Sequence, residues 1–159
     1  MTEAGEILLE CHRFRVERVR QACRDGSIQS REIVRHPGSV VIIPQVDEQH
    51  VCLIENRRIA AGSTLIELPA GTLEPPDGPT ETALRELQEE TGFRAARMKR
   101  LISFYAAPGI MDERMHLFLA EDLEAGPPAR EINEEIDNLI VTWPTAFEMI
   151  GDGRIEDAK

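Results

Sequence analysis

One stretch of this chain leaves little freedom about its fold: Gly71-Thr-Leu-Glu-Pro-Pro-Asp77-Gly-Pro-Thr-Glu81-Thr-Ala-Leu-Arg85-Glu86-Leu87-Gln-Glu89-Glu90-Thr-Gly92-Phe93. Its first part holds two glycines and three prolines between Gly71 and Pro79, which excludes a regular element and requires a loop with a defined path. Pro79 suits the first turn of a helix, where its missing N–H has no partner to lose. Ala83, Leu84 and Leu87 recur at helical spacing, so a helix over 80–91 is predicted, packed on a sheet through those three residues. Gly92 reads as its left-handed cap, with Phe93 folding back over the last turn. Glu86, Glu89 and Glu90 stand at i, i+3 and i+4, which gathers three carboxylates on one helix face. Like charges at that spacing destabilise a helix by a few tenths of a kcal/mol per pair. A hard divalent cation removes the repulsion, and oxygen ligands suit Mg²⁺ or Mn²⁺. The plain alternative is a solvated charged face.

The segments around this helix read mostly as strands, giving an α+β chain. Leu8 to Gln21 alternates weakly, Arg24-Asp25-Gly26-Ser27 reads as a hairpin turn, and Ile28 to Val34 returns from it. Ser39 to Ile43 is a short apolar run ended by Pro44, the pattern of a buried strand. Val51 to Ile54, Leu65 to Leu68, Met98 to Tyr105, Met115 to Ala120 and Ile136 to Trp143 read as further strands, and Thr145 to Ile150 as a short helix ended by Gly151. The one-domain length of 159 residues predicts burial of about 70% of the unfolded surface, enough for a core without staples.

Charge narrows the function classes. The net charge of −11 disfavours sequence-independent binding to nucleic acid or to an anionic membrane, while an anionic substrate remains reachable through a bridging divalent ion. No apolar run approaches the roughly 20 residues of a membrane span, and the acidic start MTEAGEILLE lacks the layout of a signal peptide. The three cysteines, Cys11, Cys23 and Cys52, form no CxxC pair and read as reduced cytosolic thiols rather than a zinc site.

The Gly71–Phe93 segment resembles the Nudix box, Gly-x5-Glu-x7-Arg-Glu-hydrophobic-x-Glu-Glu-x-Gly-hydrophobic. Gly71, Arg85, Glu86, Leu87, Glu89, Glu90, Gly92 and Phe93 all fall on its positions. At an abundance of about 6% per fixed type, a chance match is on the order of 10⁻⁶. The departure is Asp77 where the family has Glu, which keeps the charge and shortens the reach. The resemblance extends to Ile54-Glu-Asn-Arg-Arg58-Ile-Ala-Ala, to Glu67-Leu-Pro-Ala-Gly71 and to Ala107-Pro108-Gly109-Ile-Met-Asp-Glu113-Arg. These are similar to the ADP-ribose pyrophosphatase branch, in which a proline follows the box by about 16 residues, as Pro108 follows Gly92.

The resemblance implies an α/β/α sandwich around a mixed β-sheet, with extra antiparallel strands at the N-terminus. It implies N-terminal strands over 1–36 that serve dimerisation and substrate contacts, and a hydrolase domain over 37–159. It implies metal-dependent cleavage of the pyrophosphate bond of ADP-ribose or a related nucleoside diphosphate sugar by a cytoplasmic homodimer. Two or three Mg²⁺ ions (Mn²⁺ as an alternative) would be held by Glu86, Glu89, Glu90 and the carbonyl of Ala70, with Arg85 orienting the box carboxylates by ion pairing. Arg31 and Glu32 would lie near the adenosine end, Arg58 at the diphosphate or terminal ribose, and Thr72 and Glu113 along the substrate site. A late acidic loop would supply the general base, Glu134 or its alternative Glu135. Branch members continue past Asp157-Ala158-Lys159 into a C-terminal helix. The alternatives are another nucleotide as substrate, or a non-catalytic module that binds a nucleotide.

Overall fold

The computed structural model of the protein describes residues 5–130 and 135–159. Three antiparallel strands come first: β1 (Glu6–Glu10), β2 (Arg15–Ala22) and β3 (Ile28–Arg35), in the order β1-β2-β3. The weak alternation over 8–21 is therefore two strands rather than one. The chain reverses between them, where the Cys11 amide donates to the Phe14 carbonyl at 2.9 Å. The turn expected over 24–27 is formed, with Gly26 at a φ of 84° and Asp25 Oδ1 accepting from the Ser27 amide at 3.0 Å.

The body that follows holds two further sheets. One orders β10 (Ile136–Thr142), β5 (His50–Arg58) and β6 (Ser63–Glu67). The other orders β7 (Ala70–Thr72), β4 (Ser39–Pro44), β9 (Arg114–Ala125) and β8 (Phe93–Tyr105). It is mixed: β4 runs parallel to β9 and antiparallel to β7. Parallel neighbours need a long crossover, and helix α1 (Pro79–Glu86) lies on that path.

The period-two alternation of the central strands assigns two faces. Val40 and Ile42 of β4 and Cys52 of β5 join Ala83 and Leu87 in one core, with Phe118 and Ala120 of β9. Val51 and Leu53 of β5 face the other way and pack with Ala146 of helix α2 (Trp143–Gly151), alongside Ile43, Leu139 and Trp143. Strands thus lie between α1 and α2, the sandwich that the resemblance implies. Thr142 caps α2, its hydroxyl oxygen accepting the Thr145 amide at 3.2 Å.

Some limits and one burial assignment differ from the sequence reading. Strand β8 starts at Phe93, not Met98, because an edge strand can carry exposed Arg94 and Arg97 without losing its ladder to β9. Gly71 sits inside the short strand β7 rather than opening the loop, since Val40 of β4 pairs with it. Leu84 is exposed: Ala83 and Leu87 are four apart on one stripe, and Leu84 is rotated off it. The place of Leu84 in the buried set is taken by Thr82, whose hydroxyl donates to the Gly78 carbonyl at 3.0 Å.

Candidate active site

Beyond Glu86 the helix widens into a π-helical turn over Leu87–Thr91, closed by Gly92 at a φ of 80°. Glycine is required at 92 twice over, by that left-handed backbone and by space, because a Cβ there would meet the Gly126 carbonyl and the Pro128 nitrogen. The wide turn, a feature frequent at functional sites, brings Glu90 to the buried side with Leu87 and Thr91. Glu90 is 3% exposed, and its Oε2 accepts the Ala70 amide at 3.0 Å. A plain solvated face does not bury a carboxylate in this way.

Arg85 gathers the other acids. Its guanidinium meets Glu86 Oε1 at 2.9 Å and Glu89 Oε2 at 2.6 Å, with Asp77 Oδ2 further off at 3.9 Å. Burial works against the Arg85 charge, but Glu86 and then Glu89 outweigh it and raise its pKa. Arg85, expected to orient box carboxylates, thus lies in ion-pair contact with Glu86 and Glu89. Gly71 lies against the same group: a Cβ on Gly71 would collide with the Glu86 carboxylate, which fills the space beside β7. The helix and β7 are locked together by this contact and by the Glu90–Ala70 bond.

Among the described residues, no three His, Cys, Asp or Glu side chains converge as a ready-made metal cage. The residues present nevertheless fit a hard cation. Every donor is an oxygen, Glu90 is anchored by a backbone amide and Glu86 by Arg85, and the glycine at 71 leaves room for the Glu86 carboxylate against Ala70-Gly71.

A cavity of about 330 Å³ opens next to this helix, lined by Ser39, Arg58, Gly71, Thr72, Glu113 and Lys159 among others. Three of the residues expected at the substrate, Arg58, Thr72 and Glu113, meet there, together with the metal-ligand candidate Ala70. Glu113 is held in place: the Ser39 hydroxyl donates to its Oε1 at 2.8 Å, and His36 Nδ1 lies 3.7 Å from the same oxygen. The loop carrying it is docked on β3. Val34 accepts the Asp112 amide at 3.1 Å and donates to the Ile110 carbonyl at 2.9 Å. Asp112 Oδ1 accepts the His36 amide at 2.9 Å, and Asp112 Oδ2 pairs with Arg35 at 2.9 Å. Burial opposes ionisation of Asp112, but the His36 amide and Arg35 hold its carboxyl below the ordinary range. Arg35 also reaches Glu17 Oε2 at 2.8 Å, whose other oxygen takes Arg15 at 2.6 Å. These two arginines, Arg35 first, hold Glu17 below the usual carboxylate range. The N-terminal sheet is thereby tied to the Glu113 loop.

Other expected residues lie apart. Arg31 and Glu32 are on exposed β3, where Arg31 is opposite Val19 and Glu32 pairs with Arg18 at 2.9 Å; neither lines the cavity. Glu135 is exposed, 3.7 Å from Arg57, and lines a separate hollow with Arg130 and Asp137. Glu134 lies outside the described residues. A second hollow of about 560 Å³ shares Thr72 with the first and is lined by Phe14, Arg15, Arg35, His36 and Leu73. The sequence reading passed over Ser39, Asp112 and Glu67. Glu67 stands there as a lone acid in the apolar run Leu65-Ile66-Glu67-Leu68, and Asp112 within the stretch that ends on Glu113-Arg.

The chain is similar to known proteins. Residues 35–158 match the model of the NUDIX domain. The ADP-ribose pyrophosphatase of Bacillus subtilis is 38% identical over 137 residues, covering 85% of this chain and 74% of that protein. The methanol dehydrogenase activator of Bacillus methanolicus is 39% identical over 137 residues, with the same coverage of 85% and 74%. Among solved structures, an ADP compounds hydrolase superposes with a TM-score of 0.84 over 99% of this chain and 86% of its own, at 23% identity, a likeness of fold. With the box helix, its arginine and its glycines all in place, and a domain match over most of its length, this chain belongs to the Nudix family.

Proposed function

We propose that this protein hydrolyses the pyrophosphate bond of ADP-ribose, or of a related nucleoside diphosphate sugar, giving AMP and ribose 5-phosphate from ADP-ribose. The observation that carries this reading is the juxtaposition of the Arg85-bound carboxylates with a cavity bearing Arg58, Thr72 and Glu113. The substrate named for the Bacillus subtilis relative supports the choice of ADP-ribose.

Glu86, Glu89, Glu90 and the Ala70 carbonyl are the groups that would hold Mg²⁺ or Mn²⁺, as two or three ions. The chemistry supplied by such ions is neutralisation of phosphate charge and acidification of the attacking water. The chain's own residues do the rest. Arg58 offers a planar, permanently charged fork to the diphosphate. Thr72 and Glu113 bound the sugar side, with Glu113 fixed by Ser39. Glu134, or Glu135 as the alternative, takes the proton from water as its oxygen bonds to phosphorus and the bond to the bridging oxygen breaks. The neighbouring hollow with Phe14 suits the adenosine end; Arg31 and Glu32 line neither hollow in this chain, and we assign them to that end as contacts from the partner protomer.

We further propose a cytoplasmic homodimer built on residues 1–36, ahead of a hydrolase domain over 37–159. The N-terminal sheet leaves Ile7 at 54%, Leu9 at 51% and Ile28 at 69% exposure, too much apolar surface for a sheet without a partner. Free Cys11, Cys23 and Cys52 suit a reducing compartment. The charge of −11 argues against nucleic acid as partner, and among the described residues no helix is long and apolar enough to cross a membrane.

Product analysis after incubation with ADP-ribose and Mg²⁺, with and without chelator, tests the reading. Equal amounts of AMP and ribose 5-phosphate, abolished by chelator, are expected. ADP-ribose left intact while another nucleotide is cut would move the substrate class, and tight binding without cleavage would mark a sensing module.

A further inference from the structure

A buried acid that the hydrolysis does not use lies under the cavity. Glu67 ends β6 and is 1% exposed. Its Oε1 accepts a hydrogen bond from the Arg58 guanidinium. Its Oε2 lies 3.1 Å from Lys159 Nζ in an ion pair whose geometry provides no hydrogen bond to that oxygen. Lys159 is in turn held by Asp157, Nζ to Oδ1 at 2.9 Å and amide to Oδ1 at 2.9 Å. A lone carboxylate at this depth is strongly disfavoured, and two cations on its two oxygens make it tenable. Both cations line the cavity, Arg58 from the end of β5 and Lys159 within the lining segment Asp157–Lys159.

The strand register shows why an anchor is needed. Arg58 is the last residue of β5, opposite Ser63, while Glu67 is opposite Ile54. The Arg58 side chain therefore runs back along the ladder by four residues to reach its acid, and 37% of it stays exposed. A long side chain at a strand end has many rotamers to lose. One fixed carboxylate selects the conformer that lines the cavity.

We propose that Glu67 is a positioning residue that presets Arg58 with one oxygen and the Asp157–Lys159 segment with the other, so that these lining groups of the diphosphate cavity are assembled before substrate arrives. This rests on the pyrophosphatase reading for what the cavity binds, and not for the anchoring itself.

The test uses the whole chain with Glu67→Gln, which keeps the volume and removes the charge, and Glu67→Asp, which keeps the charge and shortens the reach. Kinetics on ADP-ribose with Mg²⁺ are expected to show KM raised about tenfold in Glu67→Gln with kcat within about threefold, and partial recovery of KM in Glu67→Asp. In parallel, the Arg58 side-chain nitrogen resonances are followed by NMR. Hindered rotation with separate Nη signals is expected in the unsubstituted protein, collapsing in Glu67→Gln. Unchanged KM in Glu67→Gln, or freely rotating Arg58 in the unsubstituted protein, overturns the proposal. If Glu67→Gln does not fold, the Arg58 spectrum of the unsubstituted protein decides alone. If that protein leaves ADP-ribose uncut, the substrate reading fails, while the same spectra still decide whether Glu67 holds Arg58.

Discussion

Substituting Gly71 by alanine separates what this residue does for folding from what it does for chemistry. The three nearest heavy atoms to an added Cβ are Cδ, Oε1 and Cγ of Glu86, all from one side chain. The closest clash is with a side chain, which can move to relieve it. A strained rotamer costs about 0.5–1.5 kcal/mol, and the partly exposed Arg85–Glu86 pair at 2.9 Å contributes about 0–1 kcal/mol. Against this, alanine restricts the unfolded chain and returns about 0.4–1 kcal/mol. The net loss is about 1 kcal/mol, a fall of about 2–4 °C in Tm for a domain of this size. The Glu86 carboxylate, however, must retreat from β7 by more than about 1 Å, and a displacement of that order lowers turnover by about 100-fold. Thermal unfolding and ADP-ribose hydrolysis on the same preparation give both numbers. Activity within about threefold of the unsubstituted protein, or a drop in Tm of more than about 10 °C, would refute the placement of Glu86 against Gly71 as the feature that matters there.

Glu90→Gln keeps shape and can still accept the Ala70 amide, so folding is retained, while turnover falls by about 10³-fold or more; a variant near full activity in excess Mg²⁺ would remove Glu90 from the metal set. Leu87→Ala opens a hole at a fully buried position and is expected to destabilise by about 2–5 kcal/mol, read as a shifted urea midpoint. Burial, then Arg100 and Arg114, hold the His116 imidazole below its ordinary value of 6.5, and its Nδ1 lies 2.9 Å from an Arg100 donor. The unfolded chain therefore takes up that proton first as pH falls. His116's contribution is full above pH 6.5 and is lost on acidification through the folded pKa. Urea midpoints between pH 7.5 and 5.5 should fall less in His116→Gln than in the unsubstituted protein, and equal slopes would contradict this sign.

The legible parts were those fixed by neighbours along the chain. The box helix, its Gly92 cap and the inward stripe of Ala83 and Leu87 followed from helical spacing, and the turn over 24–27 from its own residues. Strand limits were less legible because edge pairing, as in β8, tolerates polar residues that the sequence reads as breaks. Leu84 misled for a related reason: apolar character states what a residue can bury, not which way the helix is rolled. The metal-ligand candidates and Arg85 were spelled out in order because a single helix carries nearly all of them.

What only the tertiary structure decided is whatever joins distant segments. That Glu113 is pinned by Ser39, that Asp112 ties its loop to Arg35 of the N-terminal sheet, and that Glu67 sits between Arg58 and Lys159 are facts of three-dimensional proximity. A buried charge shows in a sequence only as a misplaced polar letter, since its partners are selected by burial and by the low dielectric around it rather than by spacing. The sequence alone determined a helix of acids beside a tight glycine loop, through the backbone periodicity that needs no tertiary context. The packing of sheets decided which of its charges are held, and by whom.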